Sequence, residues 1–337
     1  MPTIKDVARE AGVSIATVSY VLNNKRSLVS DDTRRQVLET IERIGYTPNS
    51  TARNLKASRT RLIGYAWHQV PNGQMNPVLD QFIYYLAQAA ETHGYHLMTF
   101  THPTDDPVPA YAELIRTGRI DSFVVAETTR RDPRIRFLLD SEFPFAAFGR
   151  SEANWNFNWV DTDGTEGMYQ AVDHLIGLGH RRIAMVAWPE DSISGEYRVK
   201  GYHMALEAAG IETRADYMIR IENREQAGRE AFQYLWSLPM ADRPTAMVAV
   251  TDLVAVGMMN QAELMGLRVG QDVAIVGFDD APMSQYLRPA LTSIQQPISE
   301  ICTALVNQVD ALRADASSSP QHVLIRPRLI VRQSCGA

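Results

Sequence analysis

The sequence predicts two parts. The first is an N-terminal head of three short helices, arranged as a helix-turn-helix and followed by a hinge helix. The second is a two-lobed α/β body built on parallel sheets. Three observations carry this expectation: charge is divided unevenly along the 337 residues, apolar positions recur at helical spacing up to Gly45, and from Arg61 short apolar runs alternate with amphipathic stretches.

The net charge of −6 hides the division. Residues 1–61 hold eleven Lys/Arg against six Asp/Glu, a net of +5, and the remainder holds twenty-two against thirty-three, a net of −11. A basic head on an acidic body suits a nucleic-acid-reading module joined to a larger domain with another task. No run of about 18 apolar residues occurs, so no membrane span is expected. "MPTIKDVARE" lacks the apolar core of a signal peptide, so the protein is expected to stay in the cytosol. Cys302 and Cys335 lie far apart without metal-ligand spacing, so neither a disulfide, a metal site nor a cofactor is expected.

The head is read from its caps. Thr3 and Asp6 resemble a capping box ahead of a helix whose apolar face is Ile4, Val7, Ala8 and Ala11. Gly12 then supplies the left-handed turn, and Ser14 caps a second helix with Val18, Val21 and Leu22 inward. Ser30 or Asp31 caps a third, "DTRRQVLETIERIG", with Val37, Leu38, Ile41 and Ile44 inward and Gly45 at its end. Two helices across a tight glycine turn form the helix-turn-helix.

On the second helix the outward residues Ile15, Ala16, Thr17, Ser19 and Tyr20 are small or uncharged, where a solvated helix carries Glu and Lys. Such a face can enter a major groove, with apolar groups meeting thymine methyls and hydroxyls reaching base edges or phosphates. Asn23, Asn24, Lys25 and Arg26 follow, suited to the phosphate backbone. In "YTPNSTARNLKASRT" the one bulky apolar residue, Leu55, is surrounded by Arg53, Lys56, Arg59 and Arg61. Either this is a basic linker, or it is a short helix that orders on DNA with Leu55 as a minor-groove wedge.

In the body, "RLIGYAW", "HLMTFT", "DSFVVAE" and "FPFAAFGR" read as strands, with helices at "NPVLDQFIYYLAQAAETHGY" and "VPAYAELIRTGRI". The alternation repeats through "RRIAMVAW", "DYMIRI", "TAMVAVT" and "VAIVGFDD", which implies two lobes with a ligand crevice at the strand ends. No phosphate-cradling glycine motif opens a helix, and there is no G-x-S-x-G elbow. Adjacent Asp279 and Asp280 point to opposite sides of a strand, a poor acid–base pair, so an enzyme is not expected. Trp67, Trp155, Trp159 and Trp188 lie in or beside strand-end loops, where each either fills core or stacks on a sugar ring. Asp80 faces the cleft or is a solvated helix acid.

The run D-V-A-x-x-A-G-V-S-x-x-T-V-S, then Y-x-P-N, A-R-x-L and I-G, resembles the head of the LacI/GalR family of transcriptional regulators. The body blocks "VDTDGTEGMYQAVDHLIGLGHRRIAMVAW", "TAMVAVTDLVAVGMM" and "DVAIVGFDDAPMSQYLRPALTSIQQP" are similar to the same family, so the resemblance spans the chain. It implies a helix-turn-helix head over 1–48, a hinge over 49–61, and a periplasmic-binding-protein-like effector domain over 62–337. The lobes would be about 62–160 with 290–320, and 161–289 with 321–337. It implies a homodimer, without a leucine-heptad tail for tetramers, repressing carbohydrate-utilisation genes from a near-palindromic operator of double-stranded DNA.

Ile15, Ala16 and Tyr20 occupy the family's base-reading positions, and Leu55 that of the residue kinking the central step. Further implied DNA contacts are Thr3, Ser14, Thr17, Ser19, Asn23, Lys25 and Tyr46, with Asn49, Ala52, Arg53 and Lys56 in the hinge. The implied effector is a mono- or oligosaccharide, with "FGRSE…WVDTD" leaning towards glucoside or maltose-like sugars. Arg198 would clamp it, Thr251, Asp252 and Asp279 would accept its hydrogen bonds, and Trp159 would supply an aromatic contact beside Trp67, Trp188 and Asp80. Inducer and corepressor use the same architecture.

Overall fold

A computed structural model describes residues 2–22, 25–46, 60–67, 77–103, 105–315 and 318–337. The chain packs as two units, Met1–Thr60 and Arg61–Ala337.

The first unit contains α1 (Ile4–Glu10), α2 (Ile15–Leu22) and α3 (Asp31–Ile44). Thr3 and Asp6 form a complete capping box on α1. The chain turns at Gly12, φ 60°, a conformation without penalty only for glycine. Ser30 caps α3 through the Thr33 amide, and Gly45 closes it in the left-handed region. Val7, Ala8, Ala11, Val18, Val21 and Val37 form the core, with Ile4, Leu22, Ile41, Ile44 and Tyr46 packed around it. The Gln36 side-chain amide donates to the Ala11 carbonyl (3.1 Å), tying α3 to the end of α1.

The second unit holds two sheets. The first-lobe elements in chain order are β1 (Leu62–Trp67), α4 (Pro77–Thr92), β2 (His96–Thr101), α5 (Val108–Arg116), β3 (Ser122–Val125), α6 (Pro133–Asp140), β4 (Phe145–Phe148) and β5 (Asn158–Thr162). The second lobe adds α7 (Gly164–Gly177), β6 (Ile183–Ala187), α8 (Ile193–Ala208), β7 (Met218–Arg220), α9 (Glu225–Ser237), β8 (Ala246–Ala249), α10 (Asp252–Leu264), β9 (Ala274–Asp279) and β10 (Thr292–Gln295). The chain ends with α11 (Ile298–Ala314), β11 (His322–Ile325) and β12 (Arg328–Ile330). The first sheet has the order β11-β5-β4-β3-β1-β2 and the second β12-β10-β9-β8-β6-β7. Among the described residues every strand pairing is parallel except β10 with β12.

The chain therefore crosses between the lobes after Thr162, after Gln295 and after Ile325. This corrects the boundaries expected from sequence. The sequence places residues 290–295 in the first lobe, but β10 pairs with β9 and β12 in the second sheet. The sequence places residues 321–325 in the second lobe, but β11 pairs in parallel with β5 in the first. Each strand follows the sheet edge that satisfies its amides, and α11 lies between the two crossings. Its Ile301, Cys302, Leu305 and Val306 are buried in the first lobe's core. The other thiol, Cys335, is buried in the second lobe's core, and both cysteines are free.

Candidate functional sites

In the head, α2 begins with Ser14, whose Oγ accepts from the Thr17 amide at 3.0 Å and lies 2.9 Å from Thr17 Oγ1. With Val18 and Val21 inward, Ile15 (45% exposed) and Ala16 face solvent, and Thr17, Ser19 and Tyr20 are half-buried. The helix carries no acidic residue in its first turn and no basic residue in its last. Lys25 Nζ lies 5.9 Å from the Tyr20 ring centre, so a cation stands beside the uncharged face. Thr3 is exposed, and its hydroxyl donates to Asp6 at 2.7 Å, which with the Thr3 amide holds the Asp6 carboxyl below the usual carboxylate range. Tyr46 packs against the head's core. Asn23, Asn49, Ala52, Arg53, Leu55 and Lys56 lie outside the described residues.

In the body, the C-terminal ends of the strands of both lobes converge on a cavity of about 300 Å³. This is where ligands bind in open parallel sheets, and the volume is at the lower end of the roughly 300–1,000 Å³ usual for ligand pockets. From the first lobe it is lined by Ala126–Thr129 after β3, Phe148 and Gly149 at the end of β4, Asp161 on β5, and Val78 and Leu79 on α4. From the second lobe come Trp188, Ser192, Ser194, Arg198, Asn223, Thr251 and Asp279, with Gln296 at a crossing.

Arg198 is the central cation. It is buried on α8, its guanidinium carbon 3.7 Å from the Phe278 ring centre and 4.9 Å from that of Trp188. Nη1 donates to the Val250 carbonyl, and Nη2 lies 4.0 Å from Asp279 Oδ1. Burial pulls its pKa down, and Asp279, Asp161 and Asp252 oppose that loss. Arg198 Nε and Trp188 Nε1 are buried N–H donors with no acceptor among the described residues. Facing them are acceptors. Asp279 Oδ1 accepts from Gln296 Nε2 (2.7 Å), and Gln296 Oε1 accepts from the Thr162 hydroxyl (2.7 Å). Asp161 pairs with Arg150 Nε at 3.0 Å, yet burial pushes its carboxyl up to about 6 against the pull of Arg150 and Arg198. Burial likewise raises Asp279. Thr251 caps α10, and its hydroxyl donates to Asn223 Oδ1 at 2.7 Å. A wall of buried donors and acceptors around aromatic faces matches hydroxyl-bearing molecules, because each hydroxyl both gives and takes a bond.

Of the effector residues expected from sequence, Trp188, Arg198, Thr251 and Asp279 line this cavity, and Trp67, Asp80, Trp159 and Asp252 do not. Trp67 is 38% exposed at the end of β1, and Asp80 faces solvent on α4. Trp159 stacks on His322, ring centres 4.8 Å apart, at the β5–β11 pairing. Asp252 is buried and already saturated: it accepts from Ser293 Oγ (2.5 Å), Ser284 Oγ (2.5 Å) and the Ala281 amide (2.8 Å). Burial and the nearby Asp279 raise its pKa. Its place is under the β9 loop, where it organises the turn that presents Asp279. The adjacent Asp280 turns away to Arg332 (2.7 Å) and Gln295 (2.9 Å). Sequence reasoning missed Asp161, Glu127, Thr128, Ser192, Ser194 and Asn223. The signal for Asp161 is a carboxylate near the C-terminal end of a largely buried strand.

Among the described residues no helix is long and apolar enough to cross a membrane, and no group of three or more His, Cys, Asp or Glu could hold a metal ion.

Residues 3–49 match the family described as "Bacterial regulatory proteins, lacI family", and residues 172–335 match "Periplasmic binding protein-like domain". The HTH-type transcriptional repressor PurR of Escherichia coli O139:H28 (strain E24377A / ETEC) is 31% identical over 337 residues, covering 99% of this chain and 97% of that protein. A solved complex of the transcriptional regulator CelR with cellobiose is similar with a TM-score of 0.76 at 27% identity, covering 99% of this chain and 100% of CelR. The lac repressor dimer bound to operator and the anti-inducer ONPF is similar with a TM-score of 0.82 at 25% identity, covering 100% of this chain and 99% of the repressor. Head, body and full-length relatives agree: the chain belongs to the LacI family of bacterial regulatory proteins.

Proposed function

We propose that this regulator is a cytoplasmic repressor, not an enzyme, that binds a near-palindromic operator as a homodimer and answers to a neutral mono- or oligosaccharide. The observation that carries the effector class is the buried Arg198, with unpartnered Nε beside the unpartnered Trp188 Nε1, facing the carboxylates of Asp161 and Asp279. Among the described lining residues the carboxylates of Glu127, Asp161 and Asp279 outnumber the one cation, Arg198, which disfavours sugar phosphates and acids and suits uncharged hydroxyls. The similarity to CelR, solved with cellobiose, supports a sugar. The similarity to the lac repressor dimer on its operator supports the dimer and the DNA target.

In this reading Ile15, Ala16 and Tyr20 meet base edges, Thr17, Ser19 and Lys25 meet the backbone, and Leu55 with its basic neighbours forms the hinge wedge. Effector binding favours one arrangement of the lobes and changes operator affinity by about 5–150-fold, the usual size of such coupling. The test is a titration of the gene's own upstream DNA at fixed salt, with and without a panel of neutral sugars, sugar phosphates and uronates. A response to phosphates or uronates alone would sink the neutral-sugar assignment. Absence of any sequence-preferring DNA binding would sink the regulator itself.

A further inference from the structure

Arg150, just beyond β4, is not among the cavity-lining residues, yet it touches Asp161, which is, and Tyr197 of the other lobe, the residue before the lining Arg198. Its Nε forms an ion pair with Asp161 at 3.0 Å, both side chains being largely buried (16% and 7% exposed). Its guanidinium carbon lies 5.0 Å from the Trp159 ring centre in the same lobe and 3.9 Å from the Tyr197 ring centre on α8 of the other. Both ends are fixed by their own backbones. Thr128 Oγ1 donates to the Arg150 carbonyl (2.8 Å), and Thr165 Oγ1 donates to the Tyr197 carbonyl (3.0 Å). Tyr197 directly precedes Arg198, so the ring under Arg150 and the central cation move on one turn of one helix.

We propose that Arg150 is a positioning residue that latches the lobes, gripping Asp161 in the first lobe and lying on the Tyr197 ring of the second. Asp161 lines the cavity, so a ligand hydroxyl bonded to its carboxylate fixes the partner of Arg150, and Arg150 in that pose holds α8. Separating the lobes breaks the contact with Tyr197 and leaves the Arg150–Asp161 pair inside the first lobe. The latch thus carries cavity occupancy to the relative position of the lobes. Only its sugar arm rests on the function proposed above.

The test is amide hydrogen exchange of the full-length, sugar-free protein, followed over residues 127–132 and 192–198, which flank the cavity in opposite lobes. Tyr197→Leu keeps apolar volume and removes the π face; Tyr197→Phe keeps the face and removes only the hydroxyl. Tyr197→Leu and Arg150→Gln are each expected to speed exchange in both segments by roughly 2- to 30-fold, the range a cation–π contact spans. The double substitution should exchange no faster than the faster single, and Tyr197→Phe should match the wild type. Unchanged exchange in Tyr197→Leu, multiplied effects in the double, or a Phe variant behaving like the Leu variant would each overturn the latch. If Arg150→Gln does not fold, the Leu and Phe variants decide. In the second arm, operator DNA is titrated with and without cellobiose, and the sugar's effect should shrink in Tyr197→Leu. A full sugar effect in Tyr197→Leu overturns the latch. No response by the wild type to cellobiose or other neutral sugars overturns the sugar assignment, and the exchange arm still decides the latch.

Discussion

The guanidinium carbon of Arg198 lies 3.7 Å from the centre of the Phe278 ring, and Phe278 is the residue immediately before Asp279. One β9 end therefore supplies both a face that holds the cation and a carboxylate that opposes it. Lysine cannot reproduce this, because it has a point charge and no planar group to lie on a ring. Arg198→Lys should weaken sugar binding by about ten- to a hundredfold, the worth of hydrogen bonds to a charged group. Operator affinity without sugar should fall by less than sugar binding does, since the DNA-reading residues belong to the separate Met1–Thr60 unit. Calorimetry and a DNA titration measure the two quantities. Equal losses in both would mean that Arg198 supports the fold and not the ligand.

Ser14 has two roles to separate. Its Oγ caps α2 through the Thr17 amide, and its side chain is exposed at the start of the reading helix. Ser14→Ala should cost about 1 kcal/mol of helix stability, as lost N-caps do, and weaken DNA binding by up to about fivefold. Ser14→Asp keeps a capping oxygen and adds a negative charge, so stability should hold while DNA binding falls further than in the alanine variant. Thermal unfolding and a titration at fixed salt distinguish the two. Wild-type DNA affinity in Ser14→Asp would remove this end of α2 from the DNA face.

The caps and turns of the head were legible because their signals are local, whereas Leu38, expected inward on α3, is exposed. Thr3 with Asp6, Gly12, Ser14 and Gly45 each act within a few residues, and all take up the conformations their types favour. In the body, alternation revealed the two lobes but not which sheet each late strand joins. The pairing of β10 with β9 and of β11 with β5 is set by distant backbone partners. The cavity was half legible. Asp279 and Trp188, at strand ends, are among the lining residues the sequence offers, but Asn223 sits in a connection, and Ser192 and Ser194 are the cap and first turn of α8, where no periodic pattern marks them. Trp159 and Asp161 share strand parity on β5, yet only Asp161 lies among the cavity-lining residues, while the Trp159 indole stacks on His322. Aromatic identity near a strand end does not say which neighbour takes the ring.

The raised Asp161 carboxyl predicts a pH effect of definite sign. Burial lifts it to about 6 in the folded protein, whereas an unfolded aspartate titrates near 4. The folded state thus holds this proton more tightly. The stabilisation is complete below about pH 4 and is lost as pH rises through about 6, so between these values the group favours folding more as the solution is acidified. Asp161→Asn cannot titrate, so its unfolding free energy should lack this contribution. The difference between wild type and variant should shift by up to about 2 kcal/mol from pH 7.5 to pH 4.5, towards the wild type at low pH. Denaturant unfolding at several pH values measures it. Parallel curves would mean that the Arg150 pair holds Asp161 at an ordinary carboxylate value.

Gly277 on β9 gives the most exacting test of the loop that presents Asp279. A Cβ there would collide with Asp252 Oδ1 and come within 3.0 Å of Leu291 Cδ2. Asp252 cannot yield cheaply, since its carboxylate holds Ser293, Ser284 and the Ala281 amide, all buried. Overpacking of this kind costs about 1–3 kcal/mol, and a displaced charged acceptor adds a comparable amount. Gly277→Ala should therefore destabilise the body by roughly 3 kcal/mol or more. Asp252→Ala should also be costly, because it strands three donors. The double variant should be little worse than Asp252→Ala alone, because the collision with the carboxylate disappears and only the 3.0 Å approach to Leu291 Cδ2 remains, and coupling of this sign is what contact predicts. Urea unfolding of the three variants decides the matter. Additive losses would show that Gly277 is required for some reason other than the Asp252 carboxylate.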